Sequence, residues 1–223
     1  RVRPLGPPMP SVAGTVSAKN PRAVFVLSPP RSGSTLLRVM LGGHPRLFAP
    51  PELELLSYRT LAERRQAFSG RDNFWLEGAI RAVMEARDCS AEAAAEQIEA
   101  LEREGLGTRD LYRRLQGWLG ERLLVDKTPS YALDPAILAR AEEEFEEPFY
   151  IHLIRHPHGM IRSFEEAKLD QIFFRDREPP FSRRELAELI WLVSHGNIST
   201  FLAGVPRERW HEVRFEALTG DPE

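Results

Sequence analysis

The segment VFVLSPPRSGSTLL, residues 24–37, constrains the fold more than any other part of the chain. It passes from an apolar run through a tight turn into residues with helical spacing. A strand, a tight turn and a helix in this order form a phosphate-binding loop, because free N–H groups and the helix dipole at the helix start attract an anion. The G-x-x-x-x-G-K-[ST] pattern of nucleoside triphosphatases is absent, and Arg31 stands in the turn. The segment therefore predicts an anion site of another kind.

Apolar runs rich in β-branched or aromatic residues predict four strands, at 23–27, 123–126, 149–155 and 212–215. Helical patterns occupy the intervals, and three helix starts carry capping signals: Ser90, Asp134 before Pro135, and the capping box from Ser182 to Glu185. This alternation predicts an α/β, three-layer, P-loop-like fold with a central parallel sheet flanked by helices. In such sheets, ligands bind beyond the carboxyl ends of the strands.

The length and composition favour one domain. A chain of 223 residues, 42% of them hydrophobic, supplies the core of a single α/β domain. Residues 1–21 are rich in Pro, Gly, Ser and Ala and lack periodicity, so they predict a linker or flexible arm, with the domain at 22–223.

Charge and cysteine usage narrow the partners and the compartment. The net charge of −3 without long runs of one sign argues against nucleic acid and membrane surfaces as partners. The single cysteine, Cys89, excludes an internal disulfide and favours a reducing, cytoplasmic location. No cluster of Cys, His and Asp has metal-ligand spacing, so the sequence predicts no metal.

The strand, basic turn and helix layout occurs a second time, in YIHLIRHPHGMIRSF, residues 150–164. The strands deliver Arg31 and Arg155 at their carboxyl ends, each just before a helix start. Two such sites on one sheet edge suit a ligand with two separated anionic groups. The alternative interpretation is that each arginine is a surface residue at a strand end.

These motifs resemble sulfotransferases that use 3′-phosphoadenosine 5′-phosphosulfate (PAPS) and release the bisphosphate PAP. PRSGST is similar to the 5′-phosphosulfate loop and RHPHGMIRS to the 3′-phosphate segment, while LLVDKTPSYA supplies the strand lysine. In VRFEALTGDPE a phenylalanine stands where other members have tyrosine. The resemblance implies donor-binding roles for a set of residues: Arg31, Ser32, Gly33, Ser34, Thr35, Leu36, Arg155, Ser163 and Phe215. It also implies catalytic roles for Arg31 and Lys127.

The catalytic base is expected to be a carboxylate. Many cytosolic members of the family use a histidine two residues after the strand lysine, and that position here is Pro129. Other branches use a glutamate after the first helix, which corresponds to Glu52 in HPRLFAPPELELLSY. The alternative interpretation of Glu52 is a carboxylate favoured by a helix dipole. Glu54 is the alternate base, and His195 is a further candidate for the acceptor pocket or a plain helix-face residue.

Four segments are similar to the sulfotransferase domains of modular polyketide synthases of the curacin and olefin-synthase type: SPPRSGSTLLRVMLGGHP, PPELELL, VDKTPSYALD and FSRRELAELIWLVSHGNI. The resemblance implies an acceptor β-hydroxyl on an acyl chain of an acyl carrier protein. A neighbouring thioesterase domain of the synthase then forms a terminal alkene as sulfate leaves. Four arginines flanking EPPFS are candidates for carrier contact: Arg175, Arg177, Arg183 and Arg184.

The family fold continues past the position of Glu223 with a further helix and a basic, glycine-containing segment. We therefore expect this sequence to hold only part of that fold. Three alternatives stay open: a sulfotransferase for a free hydroxyl compound, a small P-loop kinase with Asp126 as its metal-binding acid, and a non-catalytic binding module that retained the loop.

Overall fold

The computed structural model describes residues 19–173 and 180–220. Within these residues, five strands form one parallel sheet in the order β2-β3-β1-β4-β5. The strands are β1 (Val24–Leu27), β2 (Leu47–Phe48), β3 (Leu123–Lys127), β4 (Phe149–Ile154) and β5 (Trp210–Arg214). The expected α/β architecture with a central parallel sheet is confirmed.

Helices fill the connections between the strands. The α-helices are α1 (Ser34–Gly42), α2 (Leu61–Ala67), α3 (Glu77–Arg87), α4 (Ala91–Arg103), α5 (Thr108–Trp118), α6 (Pro135–Glu144), α7 (Pro157–Glu166), α8 (Asp170–Phe173), α9 (Arg183–Leu202) and α10 (Phe215–Gly220). Short 3₁₀ helices lie at Gly70–Leu76, Pro129–Leu133 and Arg207–Arg209. The caps expected at Ser90, Asp134 and Ser182 are present, and Ser182 and Glu185 form the full capping box.

Both faces of the sheet are buried, as is typical of parallel sheets covered by helices. Phe25 and Leu27 point into a core formed with helices α3 to α6 and α9. Val24 and Val26 alternate with them and pack on the opposite face, beside Leu37 of α1. The strand at the centre of the sheet is thus buried on both sides, and its carboxyl end opens towards the loop at residues 28–33.

Three elements differ from the sequence-based expectation. Strand β2 was not predicted, because two residues are too few to give a periodic signal; Leu47 is identified as strand only by its register with Leu123. The helical pattern expected from residue 73 onward begins as a 3₁₀ helix, and α3 starts at Glu77. The strand expected at 212–215 lies at Trp210–Arg214, so Phe215 opens α10 instead.

The first described residues pack on the domain. Asn20 is fully buried, its backbone N–H donates to the Glu144 carbonyl at 2.7 Å, and its side chain donates to the Arg109 carbonyl at 3.0 Å. Residues 1–18, most of the expected linker, lie outside the described residues. In the described ranges, no helix has both the length and the apolar character needed to cross a membrane.

Candidate active site

A cavity of about 570 Å³ opens at the carboxyl ends of β1, β3 and β4. Six of the residues predicted for the site line it: Arg31, Gly33, Ser34, Thr35, Arg155 and Ser163, and Glu52 lines it as well. Ser32, Leu36, Lys127 and Phe215 lie outside its lining; Ser32 and Lys127 are buried, and Leu36 is 42% exposed. The cavity therefore brings together residues from both predicted anion loops and the predicted base.

The first loop joins β1 to α1 by a turn with two left-handed residues. Arg31 has φ 64°, and Gly33 has φ 87°. Gly33 is the residue before α1, so no side chain caps the first-turn N–H groups, and that turn contains no acidic residue. These N–H groups and the hydroxyls of Ser34 and Thr35 form a donor set that suits an anion at the cavity wall.

The second loop contacts the first directly. The Arg155 guanidinium donates to the Arg31 carbonyl at 2.8 Å, and Arg31 Nε donates to Ser163 Oγ at 3.1 Å. Trp191 Nε1 donates to the Arg155 carbonyl at 3.1 Å and holds the end of β4 against α9. The two predicted anion sites are therefore one continuous basic surface, spanning the ends of β1 and β4.

Phe215 supports this surface from below. Its ring lies 4.5 Å from the Arg155 guanidinium carbon, a cation–π contact. The same ring packs on Gly33, where a Cβ atom would lie only 2.2 Å from it. Glycine at position 33 is thus required both by its positive φ and by this contact. Phe215 orients the two loops in this structure and does not line the cavity.

The candidate base contacts the strand lysine. Lys127, at the carboxyl end of β3, is 2% exposed, and its Nζ donates to Glu52 Oε1. The Glu52 side chain is 29% exposed and faces the cavity. A buried ammonium is costly unless it is paired, and Glu52 is the charge partner of Lys127 in this site.

Glu54 has a different environment. It is 5% exposed, has φ 50°, and accepts hydrogen bonds from Ser57 Oγ at 2.9 Å and Ser130 Oγ at 2.5 Å. Burial raises the pKa of Glu54, an effect that the two serine hydroxyls oppose. Of the two candidate carboxylates, Glu52 is therefore the one that keeps both a charge partner and access to the cavity.

Three buried side chains hold the backbone of the Glu52–Tyr58 loop, and sequence reasoning missed all of them. Tyr131 accepts from the N–H groups of Leu55 and Leu56 at 3.0 and 3.2 Å. Arg64 donates to the Leu53 carbonyl at 2.9 Å, and Arg140 donates to the Tyr58 carbonyl at 2.8 Å. The sequence signal that could have identified two of them is the presence of Arg64 and Arg140 at buried positions of short amphipathic helices.

Asp126 belongs to the support of this loop. It is 1% exposed and accepts hydrogen bonds from the hydroxyls of Tyr112, Thr128 and Tyr131. Burial raises the pKa of its carboxyl group. The expectation that Asp126 could be the metal-binding acid of a kinase is wrong, because the carboxylate is enclosed by three hydroxyls and lies outside the cavity lining.

The histidine candidate lies in the interior. His195 of α9 pairs with His152 of β4, Nδ1 to Nε2, at 2.9 Å, and the two are 9% and 5% exposed. Desolvation lowers the pKa of each to about 4. His195 lies outside the cavity lining, so its place as an acceptor-pocket residue is not supported by the geometry.

Part of the cavity lining is apolar. Tyr58, Phe68 and Trp75 form one wall, and Leu133, Leu169 and Ile172 lie among the remaining lining residues. Arg183 and Arg184, two of the four arginines expected near its mouth, pair with Asp170 and Glu188 at 2.5 and 3.1 Å. Arg175 and Arg177 lie outside the described residues.

A family model described as "Sulfotransferase family" matches residues 21–223. The chain belongs to the sulfotransferase family. The structure is similar to "Sulfotransferase Domain from the Curacin Biosynthetic Pathway", with 40% identity, TM-score 0.85, and coverage of 92% of this chain and 71% of that one. It is also similar to "Sulfotransferase Domain from the Synechococcus PCC 7002 Olefin Synthase", with 39% identity, TM-score 0.84, and coverage of 93% and 71%.

More distant relatives agree at the level of the fold. A sulfotransferase from Alicyclobacillus acidocaldarius is 17% identical with TM-score 0.52 over 90% of this chain and 76% of that one. The curated relative, nodulation protein NoeE of Sinorhizobium fredii (strain NBRC 101917 / NGR234), is 30% identical over 214 residues, 91% of this sulfotransferase. The chain spans 48%, about half, of that protein's length. These neighbours confirm the expected P-loop-like fold of this sulfotransferase.

Proposed function

We propose that this sulfotransferase transfers a sulfonate group from PAPS to the β-hydroxyl of an acyl chain carried by an acyl carrier protein. One observation carries the proposal: two basic strand-end loops meet at a cavity lined by Glu52, whose carboxylate is paired with the buried Lys127. A donor with two anionic ends needs the first feature, and a hydroxyl acceptor needs the second.

The donor would bind along the continuous basic surface. The start of α1, with Arg31, Ser34 and Thr35, suits the 5′-phosphosulfate, because it offers backbone N–H groups, hydroxyls and a planar guanidinium. Arg155 and Ser163 suit the 3′-phosphate. The hydrogen bond from Arg31 to Ser163 links the two groups of ligands, which favours a single donor bound across both loops.

In the chemical step, the acceptor hydroxyl oxygen forms a bond to sulfur while the bond from sulfur to the 5′-phosphate oxygen breaks. The hydroxyl proton goes to a carboxylate oxygen of Glu52, and PAP leaves with the bonding electron pair. In this proposal the Lys127 ammonium, which contacts the same carboxylate, stabilises charge on the departing oxygen. Every proton and charge in this step is accounted for by the chain and its two substrates.

The acceptor assignment is supported by likeness to the two sulfotransferase domains from the curacin pathway and the olefin synthase. Sulfonation turns a hydroxyl, a poor leaving group, into sulfate, a good one. An adjacent synthase domain such as a thioesterase would then release a terminal alkene from the product. The competing candidate is a free hydroxyl compound as acceptor.

The test is intact-mass detection of a gain of one SO₃ group on carrier protein loaded with a 3-hydroxyacyl chain, with the same acyl group as a free acid in a parallel reaction. We expect at least about tenfold faster transfer to the tethered form, because carrier contact contributes binding energy. Carrier loaded with the unhydroxylated acyl chain is the matched control. Equal rates for tethered and free acceptors would refute the carrier assignment, and loss of turnover in excess EDTA would contradict a step carried by Glu52 and Lys127 without a metal.

A further inference from the structure

An aromatic wall leads away from the candidate base. Tyr58 follows the Glu52 loop directly, and its ring meets that of Phe68 edge to face, with centroids 5.4 Å apart. Phe68 is followed by Trp75 at 6.2 Å. All three line the cavity, and they come from one stretch of chain between the base and α3. The three rings therefore form one continuous wall from Tyr58 to Trp75.

The wall is fixed by the contacts that hold the base. The Arg64 guanidinium donates to the Leu53 carbonyl and to the Trp75 carbonyl, each at 2.9 Å. Arg64 is 2% exposed, and its guanidinium lies 5.8 Å from the Phe68 ring centroid. One buried side chain thus connects the backbone next to Glu52 with the backbone of the aromatic wall.

Other apolar residues of the lining come from distant parts of the chain. Leu133 ends the 3₁₀ helix that follows β3, and Leu169 and Ile172 lie at and within α8. Ile172 is 38% exposed, unusual for a large aliphatic side chain that lines a cavity. The charged groups of the cavity lie instead on the two basic loops and on the Glu52 loop.

We infer that these six side chains form an apolar subsite for the acceptor: Tyr58, Phe68, Trp75, Leu133, Leu169 and Ile172. The subsite binds an unbranched hydrocarbon chain on the carbon that bears the hydroxyl, while the hydroxyl lies at Glu52. The inference rests on the proposed sulfonate transfer and deepens it, since it makes chain length the property that the site selects. Of the six side chains only Tyr58 and Trp75 carry a polar group, so a polar acceptor such as a sugar would leave most of its hydroxyls without partners along this wall.

The experiment measures kcat/KM for two series of acceptors with growing alkyl chains. One series consists of 3-hydroxyacyl pantetheine thioesters, and the other of simple 2-alkanols, which lack the thioester. We expect kcat/KM in both series to rise by about fourfold for each added methylene over the first few carbons. Trp75→Ala and Ile172→Ala should each lower the ratio of long-chain to short-chain kcat/KM by about tenfold, because each removes apolar contact with the chain.

Leu192→Ala is the control, since Leu192 is exposed on α9 outside the cavity lining, and it should leave the ratio unchanged. Because Ile172 is exposed, Ile172→Ala should fold normally, so it tests the subsite even where Trp75→Ala does not fold. A wild-type kcat/KM that is independent of chain length in both series would overturn the subsite. Length dependence for the alkanols without turnover of the thioesters would support the subsite and refute the acyl acceptor instead.

Discussion

Replacing Glu52 and Glu54 separately by glutamine distinguishes the base from its neighbour. The two carboxylates are two residues apart and both line the cavity, but their partners differ. Glu52 faces the buried Lys127 ammonium, whereas Glu54 accepts hydrogen bonds from two serine hydroxyls and is almost fully buried. A glutamine keeps the size and one acceptor oxygen of each side chain and removes its negative charge and its ability to take a proton.

For Glu52→Gln we expect kcat to fall by about 10²–10⁴, the usual contribution of a general base, or about 3–5 kcal/mol of transition-state stabilisation. The variant also leaves Lys127 with a neutral partner, which costs about 1–3 kcal/mol of folding stability. For Glu54→Gln we expect kcat within about threefold of wild type, because burial already raises the pKa of Glu54 and the amide oxygen still accepts from a serine.

The assay is single-turnover sulfonate transfer at saturating donor, with PAP affinity by calorimetry and thermal unfolding for each variant. PAP affinity should change by less than about threefold in both variants, since neither side chain belongs to the two basic loops. A loss in Glu54→Gln as large as that in Glu52→Gln would refute the assignment of the base. Full activity in Glu52→Gln would do so as well, and would leave Lys127 and the basic loops as the source of catalysis.

Two further predictions follow from the basic surface and the histidine pair. Arg155→Ala should weaken PAP binding by about 2–4 kcal/mol, because a charge-assisted phosphate contact is lost. Adenosine 5′-phosphosulfate lacks the 3′-phosphate and should bind almost as before. Equal losses for the two ligands in calorimetry would show that Arg155 does not bind the 3′-phosphate. Burial lowers the pKa of His195 and of its partner His152 to about 4, so the unfolded chain binds protons below pH 6.5 that the folded chain does not. The free energy of unfolding should therefore decrease by about 2 kcal/mol per histidine as the pH is lowered from about 7 to about 5. A denaturation series in which His195→Gln keeps the full wild-type pH dependence would contradict this.

The sequence predicts this fold well because its signals are local. Strand runs bounded by turn residues, and caps such as Ser90 and Ser182, depend on neighbours within four residues, and the structure contains them. Strand β2 was missed because its two residues are strand only through pairing with β3. The close packing of α3 on the Glu52 loop was not predictable either: a Cβ atom on Gly78 would lie 1.8 Å from the Glu52 carbonyl oxygen.

The sequence predicted which residues belong to the candidate site but not which of them contact each other. The strand-end arginines and Lys127 follow from motif positions, but the bond from Arg31 to Ser163 joins residues 132 apart in sequence. The pairing of Lys127 with Glu52 spans 75 residues. Sequence periodicity carries no information on contacts between residues so far apart, so the sequence could not show that the Arg31 and Arg155 loops form one surface.

Long-range contacts of this kind also hold the loop that carries Glu52. Its loop lacks regular secondary structure, and the loop backbone groups are satisfied largely by buried side chains: Tyr131 for two N–H groups, and Arg64 and Arg140 for four carbonyls. A general base must lie within hydrogen-bond reach of the acceptor hydroxyl, a tolerance of a few tenths of an ångström. Because Tyr131 is also bonded to Asp126, on the same strand as Lys127, the position of the loop is tied to the strand that carries the lysine. The distance between Glu52 and the Lys127 ammonium is thus set by the buried network, which Arg64 also joins to the backbone of the aromatic wall.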